Sequence, residues 1–282
     1  MSLFWFYTRE YDGIGDGTVD QWTEESVIRG LNTRKIGVKC LVLEETGSTN
    51  DQARRLAEAG AEEGTVVLAE RQLQGRGRLG RRWASPQGSG LWFSVILRPE
   101  IRPEEAAGVV FLSAAAVCGA LKEFTKLPCF LKWPNDILLE GKKICGILAE
   151  MNGTSERINH IVVGVGINVN QRQPDFPEEL RGKAGSLAMA SGVEWDRIAL
   201  LREVLRSLDR EYEDFLKFGF ACALSRWRSL CGMFGQQVRI DCQGTVVSGT
   251  ALDVDGQGRL LVETPNGVER ISAGDVSLVK EA

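Results

Sequence analysis

Residues Gln72–Trp83 read QLQGRGRLGRRW, and the stretch from Arg71 to Arg82 holds five arginines and no acid. Guanidinium forks make paired bonds to oxyanions, and intervening glycines let backbone N–H groups approach the same anion, so this segment suits a phosphate ester. Taken alone, a solvated loop or a nonspecific nucleic-acid contact accounts for it equally. The letters GRGRLG fit G-x-G-x-x-G, but no helix-forming pattern follows and Trp83-Ala84-Ser85-Pro86 ends the run, so it is not a dinucleotide fingerprint.

A second group lies at Lys132-Trp133-Pro134-Asn135-Asp136. Pro134 holds Trp133 extended, and Asn135-Asp136 makes a turn. Lys132 is a cation inside the apolar run Phe130-Leu131-Lys132-Trp133, a costly placement unless an anion meets it. A third group, Gly164-Val165-Gly166-Ile167-Asn168, removes side chains where a ligand or another backbone comes close, and ends in an amide that can both donate and accept. By itself it could equally be a bulge.

These groups need elements to hold them. Thr23 with Glu24-Glu25 opens a short helix through Val27, Ile28 and Leu31. Cys40–Glu44 reads as a strand, and Ser48, Thr49 and Asn50 offer oxygens to cap a helix running to Gly60, which puts this triplet on a strand-to-helix turn. Strands are expected at Thr65–Glu70 and Leu91–Leu97, with the arginine loop between them. Pro103 opens the longest apolar helix, to about Lys126, and a β meander follows through Phe130–Trp133, Ile137–Leu139, Ile144–Met151 and Ile158–Val169. Apolar residues from Ile198 to Phe215 at i, i+3, i+4 spacing predict a helix over Asp196–Phe218, and another runs through Trp227 and Leu230. Beyond Gly235, four or five short strands between glycines predict a small antiparallel barrel.

Composition bounds the rest. The 282 residues are 43% hydrophobic and 26% charged, which excludes disorder, collagen and coiled coil as descriptions of the whole chain. Thirty-four Lys and Arg against 38 Asp and Glu give −4, so no global positive field draws the chain to nucleic acid or anionic lipid. Seven scattered cysteines, with no C-x-x-C, and one histidine do not make the pattern of a zinc site and read as buried thiols of a reducing, cytoplasmic compartment. The apolar run at residues 3–7 is too short for a signal peptide or a membrane span.

Ser48-Thr49-Asn50, GRGRLGRRW, KWPND, Lys143-x-x-Gly146-Ile147-Leu148 and GVGIN, in this order and with a small β domain last, resemble the biotin protein ligases from about Glu24 to the C-terminus. The resemblance implies an α+β architecture: a class II aminoacyl-tRNA-synthetase-like mixed-sheet catalytic domain followed by an SH3-like barrel, here a tail over 1–22, the catalytic domain over 23–234 and the barrel over 235–282. It implies a reaction in which the biotin carboxylate attacks the α-phosphorus of ATP with Mg²⁺ to give biotinyl-5′-AMP. A lysine of a biotin carboxyl carrier protein then attacks the anhydride.

Both steps develop charge on oxygens around one phosphorus, so preorganised cations and N–H donors should carry most of the rate, with little need for a protein nucleophile, and no metal-ligating residue is assigned. Carried over residue by residue, the resemblance sets Ser48, Thr49, Asn50 and Gln72 around the biotin head group. Gly75, Arg76, Gly77 and Arg78 belong to a loop over the biotin tail and phosphate, with Trp83 as an apolar wall. Lys132 bridges carboxylate and α-phosphate, and with Arg76 and Arg78 forms the catalytic set. Gly146 and Gly166 give close backbone approach, and Arg78, Lys132 and Asn168 contact the nucleotide.

Larger family members carry an N-terminal winged-helix DNA-binding domain. Residues 1–22 hold Arg9 as their only basic residue against Glu10, Asp12, Asp16 and Asp20, so DNA binding is not expected. A homodimer through a sheet edge is compatible with the pattern. A lipoate or octanoate ligase of the same fold is the alternative enzyme, and a noncatalytic nucleic-acid-binding module the alternative of another class.

Overall fold

The computed structural model describes residues 22–242 and 244–279. The expectations placed on residues 1–21, including the absence of a DNA-binding element, lie outside the described residues. Helix α1 (Glu24–Ile28) is closed by a capping box between Thr23 and Ser26. Strand β1 (Cys40–Thr46), helix α2 (Thr49–Glu58), β2 (Val66–Gln72) and β3 (Gly90–Leu97) follow. Helix α3 (Ala107–Thr125) precedes the meander β4 (Phe130–Lys132), β5 (Asp136–Leu139), β6 (Lys142–Gly153) and β7 (Ile158–Asn168). Pro103 starts a separate 3₁₀ turn, Pro103–Glu105, rather than α3 itself.

These strands form one mixed sheet in the order β1-β2-β3-β7-β6-β5-β4, with β1 and β2 parallel and every other pair antiparallel. Alternation along the strands divides its two faces. On one face Leu91, Phe93, Val95, Val163, Val165 and Ile167 are buried in the main core. That core also takes in α3 and helices α5 (Arg197–Phe218) and α6 (Phe220–Leu230). Among the described residues Pro103–Thr125 is the one helical stretch long and apolar enough to suit a membrane span, and 67% of its most apolar window is buried.

On the other face α2 covers a small apolar cluster of Ala53, Ala57, Val67, Ile96 and Val162. Beyond it the rows Ser94-Gly164-Leu148 and Trp92-Gly166-Gly146 lie in register across β3, β7 and β6. Small residues on these rows leave a trough, and α2 points its N-terminus toward it. A short helix α4 (Leu187–Ser191), which the apolar periodicity did not announce, precedes α5.

The C-terminal sheet has five strands: β8 (Gln237–Cys242), β9 (Thr245–Val254), β10 (Leu260–Thr264), β11 (Gly267–Ile271) and β12 (Asp275–Leu278). They run antiparallel in the order β11-β10-β9-β8-β12. Val238, Ile240, Ala251, Val254, Leu260 and Val262 join the main core, so this unit is packed onto the larger one. Trp133 lies in the seam, donating from Nε1 to Gly258 O at 3.0 Å. All seven cysteines are free; four are buried, whereas Cys222, Cys231 and Cys242 are only half-buried, which corrects the reading of all seven as buried thiols.

Candidate active site

The trough and the barrel together enclose a cavity of about 1330 Å³. Every site residue expected from the sequence lines it except Gly75. One end is a ladder of polar groups. Gln72 Oε1 accepts from Thr49 N and Oγ1 at 2.8 and 3.1 Å, and Gln72 Nε2 donates to Ser85 Oγ at 2.9 Å. Ser94 Oγ lies 2.8 Å from Thr49 Oγ1 and 2.6 Å from Asn50 Oδ1, and Asn50 Nδ2 donates to Glu150 Oε2 at 2.6 Å. Ser48 takes the N-cap position of α2 but makes no side-chain cap bond, and Thr49 and Asn50 are inside the helix. The triplet therefore does not cap α2 with its side chains; Thr49 and Asn50 bond across to the sheet.

The opposite end is cationic. Lys132 Nζ lies 3.2 Å from Asp136 Oδ2 and donates to Val276 O of β12 at 2.9 Å, while Lys143 Nζ meets Asp136 Oδ1 at 2.5 Å. The anion that a lysine in an apolar strand requires is thus supplied from its own turn. Burial would raise the Asp136 carboxyl, but Lys143 and Lys132 outweigh it and hold the group below the usual carboxylate range. Asn135 accepts from Arg78 Nη1 at 3.3 Å and donates to Ile147 O. Arg78 is half-buried with no carboxylate partner among the described residues, and that burial pulls its guanidinium below its ordinary value despite the opposing pull of Asp136.

The arginine loop is a hairpin, not a phosphate-binding strand–helix turn. Trp83 N donates to Gly75 O at 2.8 Å, Gly77 N donates to Arg81 O at 2.7 Å, and the tip turns through Leu79 and Gly80 at φ +56° and +72°. A Cβ on Gly75 would stand 2.5 Å from Trp83 O and 2.8 Å from Ser85 Oγ. Gly75 therefore serves the hairpin's own packing and is not among the residues that line the cavity. Arg81 pairs with Asp275 of the barrel, and Arg76 pairs with Asp51 of α2.

Gly146 and Gly166, expected to admit a ligand, are directly opposed across β6 and β7, and the Trp83 indole lies against both. The wall thus rests on the glycine floor in this state. Lys143 Nζ stands 5.3 Å from the Trp83 ring centre, and Trp83 packs edge-on to Trp92 at 6.4 Å. Trp83 Nε1 is buried with no hydrogen-bond partner among the described residues. Asn168 lines the cavity, but its amide is engaged elsewhere, Nδ2 donating to Gly185 O at 2.9 Å.

Sequence reasoning missed Ser94, Ser85 and Asn135 as site residues, did not assign site roles to Asp136 and Lys143, and gave no part to Asp51 and Glu150, which pair with Arg76 outside the cavity's reacting end. Ser94 did carry a signal, a lone hydroxyl in the otherwise apolar strand GLWFSVIL. Asp51 and Glu150 carried none, since surface carboxylates on a helix and a strand end are commonplace. Among the described residues no group of three His, Cys, Asp or Glu converges to hold a metal.

The model described as Biotin/lipoate A/B protein ligase family matches residues 42–168, and that of the Biotin protein ligase C terminal domain matches residues 233–279. The bifunctional ligase/repressor BirA of Bacillus spizizenii is 38% identical over 255 residues, 90% of this chain and 78% of that one. The biotin–[acetyl-CoA-carboxylase] ligase of Mycobacterium tuberculosis is 36% identical over 242 residues, 83% of this chain and 87% of that one. The biotin protein ligase of Aquifex aeolicus, solved in complex with biotin and ATP, superposes with a TM-score of 0.75 at 34% identity, covering 86% of this chain and all of that one. The mixed sheet, the small SH3-like barrel behind it and these identities place the chain in the biotin protein ligases of the biotin/lipoate A/B protein ligase family.

Proposed function

We propose that the chain is a biotin–[acetyl-CoA-carboxylase] ligase, which joins biotin to AMP with release of pyrophosphate and transfers biotin to a lysine of a biotin carboxyl carrier domain. The observation that carries this reading is one cavity with the Gln72-Thr49-Ser94-Asn50 ladder at one end and Lys132, Arg78 and Lys143 at the other. A ureido head group offers both donors and an acceptor to such a ladder. The dithiolane of lipoate offers neither and could exchange no hydrogen bond with this ladder, which disfavours the lipoate alternative.

In this reading Lys132 lies where the biotin carboxylate and the α-phosphate must approach each other, and its charge lowers their repulsion. Arg78, lacking a carboxylate partner, takes the phosphate, and Arg76, already paired, holds the loop. Gly146 and Gly166 make room for the Trp83 indole that walls the biotin tail, with Ser48 and Gly77 on the rim of the cavity. Asn168 shapes the nucleotide side through its loop contact. The attacking groups of both steps belong to the substrates, so the protein's part is positioning and charge stabilisation.

Mg²⁺ would arrive on the phosphates of ATP, since Asp136 is already held by two lysines. The catalytic domain over 23–234 and the barrel over 235–282 both contribute, because Lys132 bonds the barrel backbone. A cytoplasmic location agrees with seven unpaired cysteines, and β1 and β4 are the sheet edges at which a homodimer would form.

The test is biotin-dependent exchange of pyrophosphate into ATP, run beside lipoate, followed by transfer to a carrier domain and to the same domain with its acceptor lysine changed to arginine. Exchange with biotin alone and labelling of the intact acceptor alone are expected. Exchange with lipoate, or none with either acid, would overturn the reading.

A further inference from the structure

Arg76 belongs to the arginine loop, yet its guanidinium faces the scaffold. Nη1 and Nη2 donate to Asp51 Oδ2 and Oδ1 at 2.6 and 2.9 Å, a two-point fork, and Nη2 lies 3.5 Å from Glu150 Oε1. The other oxygen of Glu150 holds Asn50, which in turn accepts from Ser94. Arg78, two residues along, has no ion-pair partner among the described residues and reaches only the Asn135 amide.

We propose that Asp51 and Glu150 are positioning residues, a two-carboxylate clamp that fixes the arginine loop over the cavity through Arg76 and leaves Arg78 as the arginine that meets an anion. What the loop encloses rests on the ligase reading; the clamp itself is a property of the chain without substrate. The planar fork fits a carboxylate at two points, so the bond defines orientation as well as distance. The Arg76 and Asp51 side chains are 35% and 23% exposed, so the hold comes from the two-point geometry rather than from burial. The Arg76 bond holds the Asp51 carboxyl below the usual range, with burial opposing, so the clamp stays charged at neutral pH.

At the loop's base Leu73 N and Gln74 N donate to Thr46 O and Gly47 O, and near its tip Arg81 pairs with Asp275, so the clamp is the loop's side-chain tie to α2 and β6. The hairpin tip closes through the Gly77–Arg81 and Trp83–Gly75 backbone bonds, which join the loop to itself and not to α2 or β6. Because Glu150 touches both Arg76 and Asn50, the anchor stands on the same groups that form the polar ladder.

The experiment is amide hydrogen exchange of residues 75–83 in the full chain without ligands, for wild type, Asp51→Asn and Asp51→Glu, with α3 as the internal reference. Adenylate dissociation and pyrophosphate exchange are measured on the same proteins. Asp51→Asn is expected to speed loop exchange and adenylate release by about tenfold. The rate at saturating biotin and ATP should stay within about twofold, and Asp51→Glu should restore protection. Unchanged loop exchange in Asp51→Asn would overturn the clamp. So would a collapse of the saturated rate with adenylate release unaltered, which would put the Asp51–Arg76 pair in the chemistry. A wild-type chain inert to biotin and ATP would overturn the ligase reading instead, and amide exchange would still judge the clamp.

Discussion

The indole of Trp83 lies so close over Gly166 that a Cβ on that glycine would stand 2.5 Å from Nε1. Gly166→Ala must therefore lift Trp83 from the trough or shift β7, and overpacking of this kind costs about 1–3 kcal/mol. Biotin affinity, measured by calorimetry, is expected to fall by about ten- to a hundredfold. Unaltered affinity would mean that Trp83 moves aside freely and is no wall of the site.

Lys132→Ala removes the ammonium between the barrel and Asp136. Adenylate formation is expected to drop by about 100- to 1000-fold, the scale of losing one preorganised charge-stabilising donor. Pyrophosphate exchange near the wild-type rate would remove Lys132 from the mechanism.

Asp136→Asn leaves Lys132 and Lys143 without their shared anion. A loss of about 2 kcal/mol is expected, less than for a fully buried pair because Lys143 is 36% exposed on its side chain. The folded carboxyl titrates below its unfolded value near 3.9. Its contribution is accordingly complete above about pH 5 and is lost as the pH falls through the folded value. Denaturant curves of wild type and variant should differ at pH 7 and converge toward pH 2. A constant gap across that range would show that the ion pairs do not cause it.

Arg78→Gly deletes the half-buried guanidinium that reaches Asn135 and adds backbone freedom next to Leu79. Biotinyl-5′-AMP should still form but leave faster, by about ten- to a hundredfold for one charge-assisted bond, and label lysines of bystander proteins. Equal off-rates, or a variant that forms no adenylate, would refute Arg78 as the arginine that retains the adenylate.

The chain carries a net charge of −4, so a weak, salt-sensitive complex with duplex DNA is the expected outcome. A gel shift with excess random DNA as competitor checks this; a retained, sequence-dependent complex would align the chain with relatives named ligase/repressor.

Much of the fold was legible in local pattern. The 3.6 period from Ile198 to Phe215 marked α5, apolar runs between turn residues marked the meander, and closely spaced glycines after Gly235 marked the barrel. Motif order named the family because each string keeps its residue types over a few contiguous positions. The charge of the arginine loop and the presence of Lys132 in an apolar strand followed from composition alone.

What those cations touch was decided by tertiary structure. Lys132 and Val276 are 144 residues apart, and only the docking of β12 beside β4 joins them. Arg76 lies 25 positions from Asp51, so its clamp depends on where the hairpin folds relative to α2. Gly146, Gly166 and Trp83 became one trough through the register of β6 with β7, which a shift of one residue would have turned to the other face. Residue types and spacing are local and survive in the string, whereas partners depend on register and domain docking, which the whole core sets together.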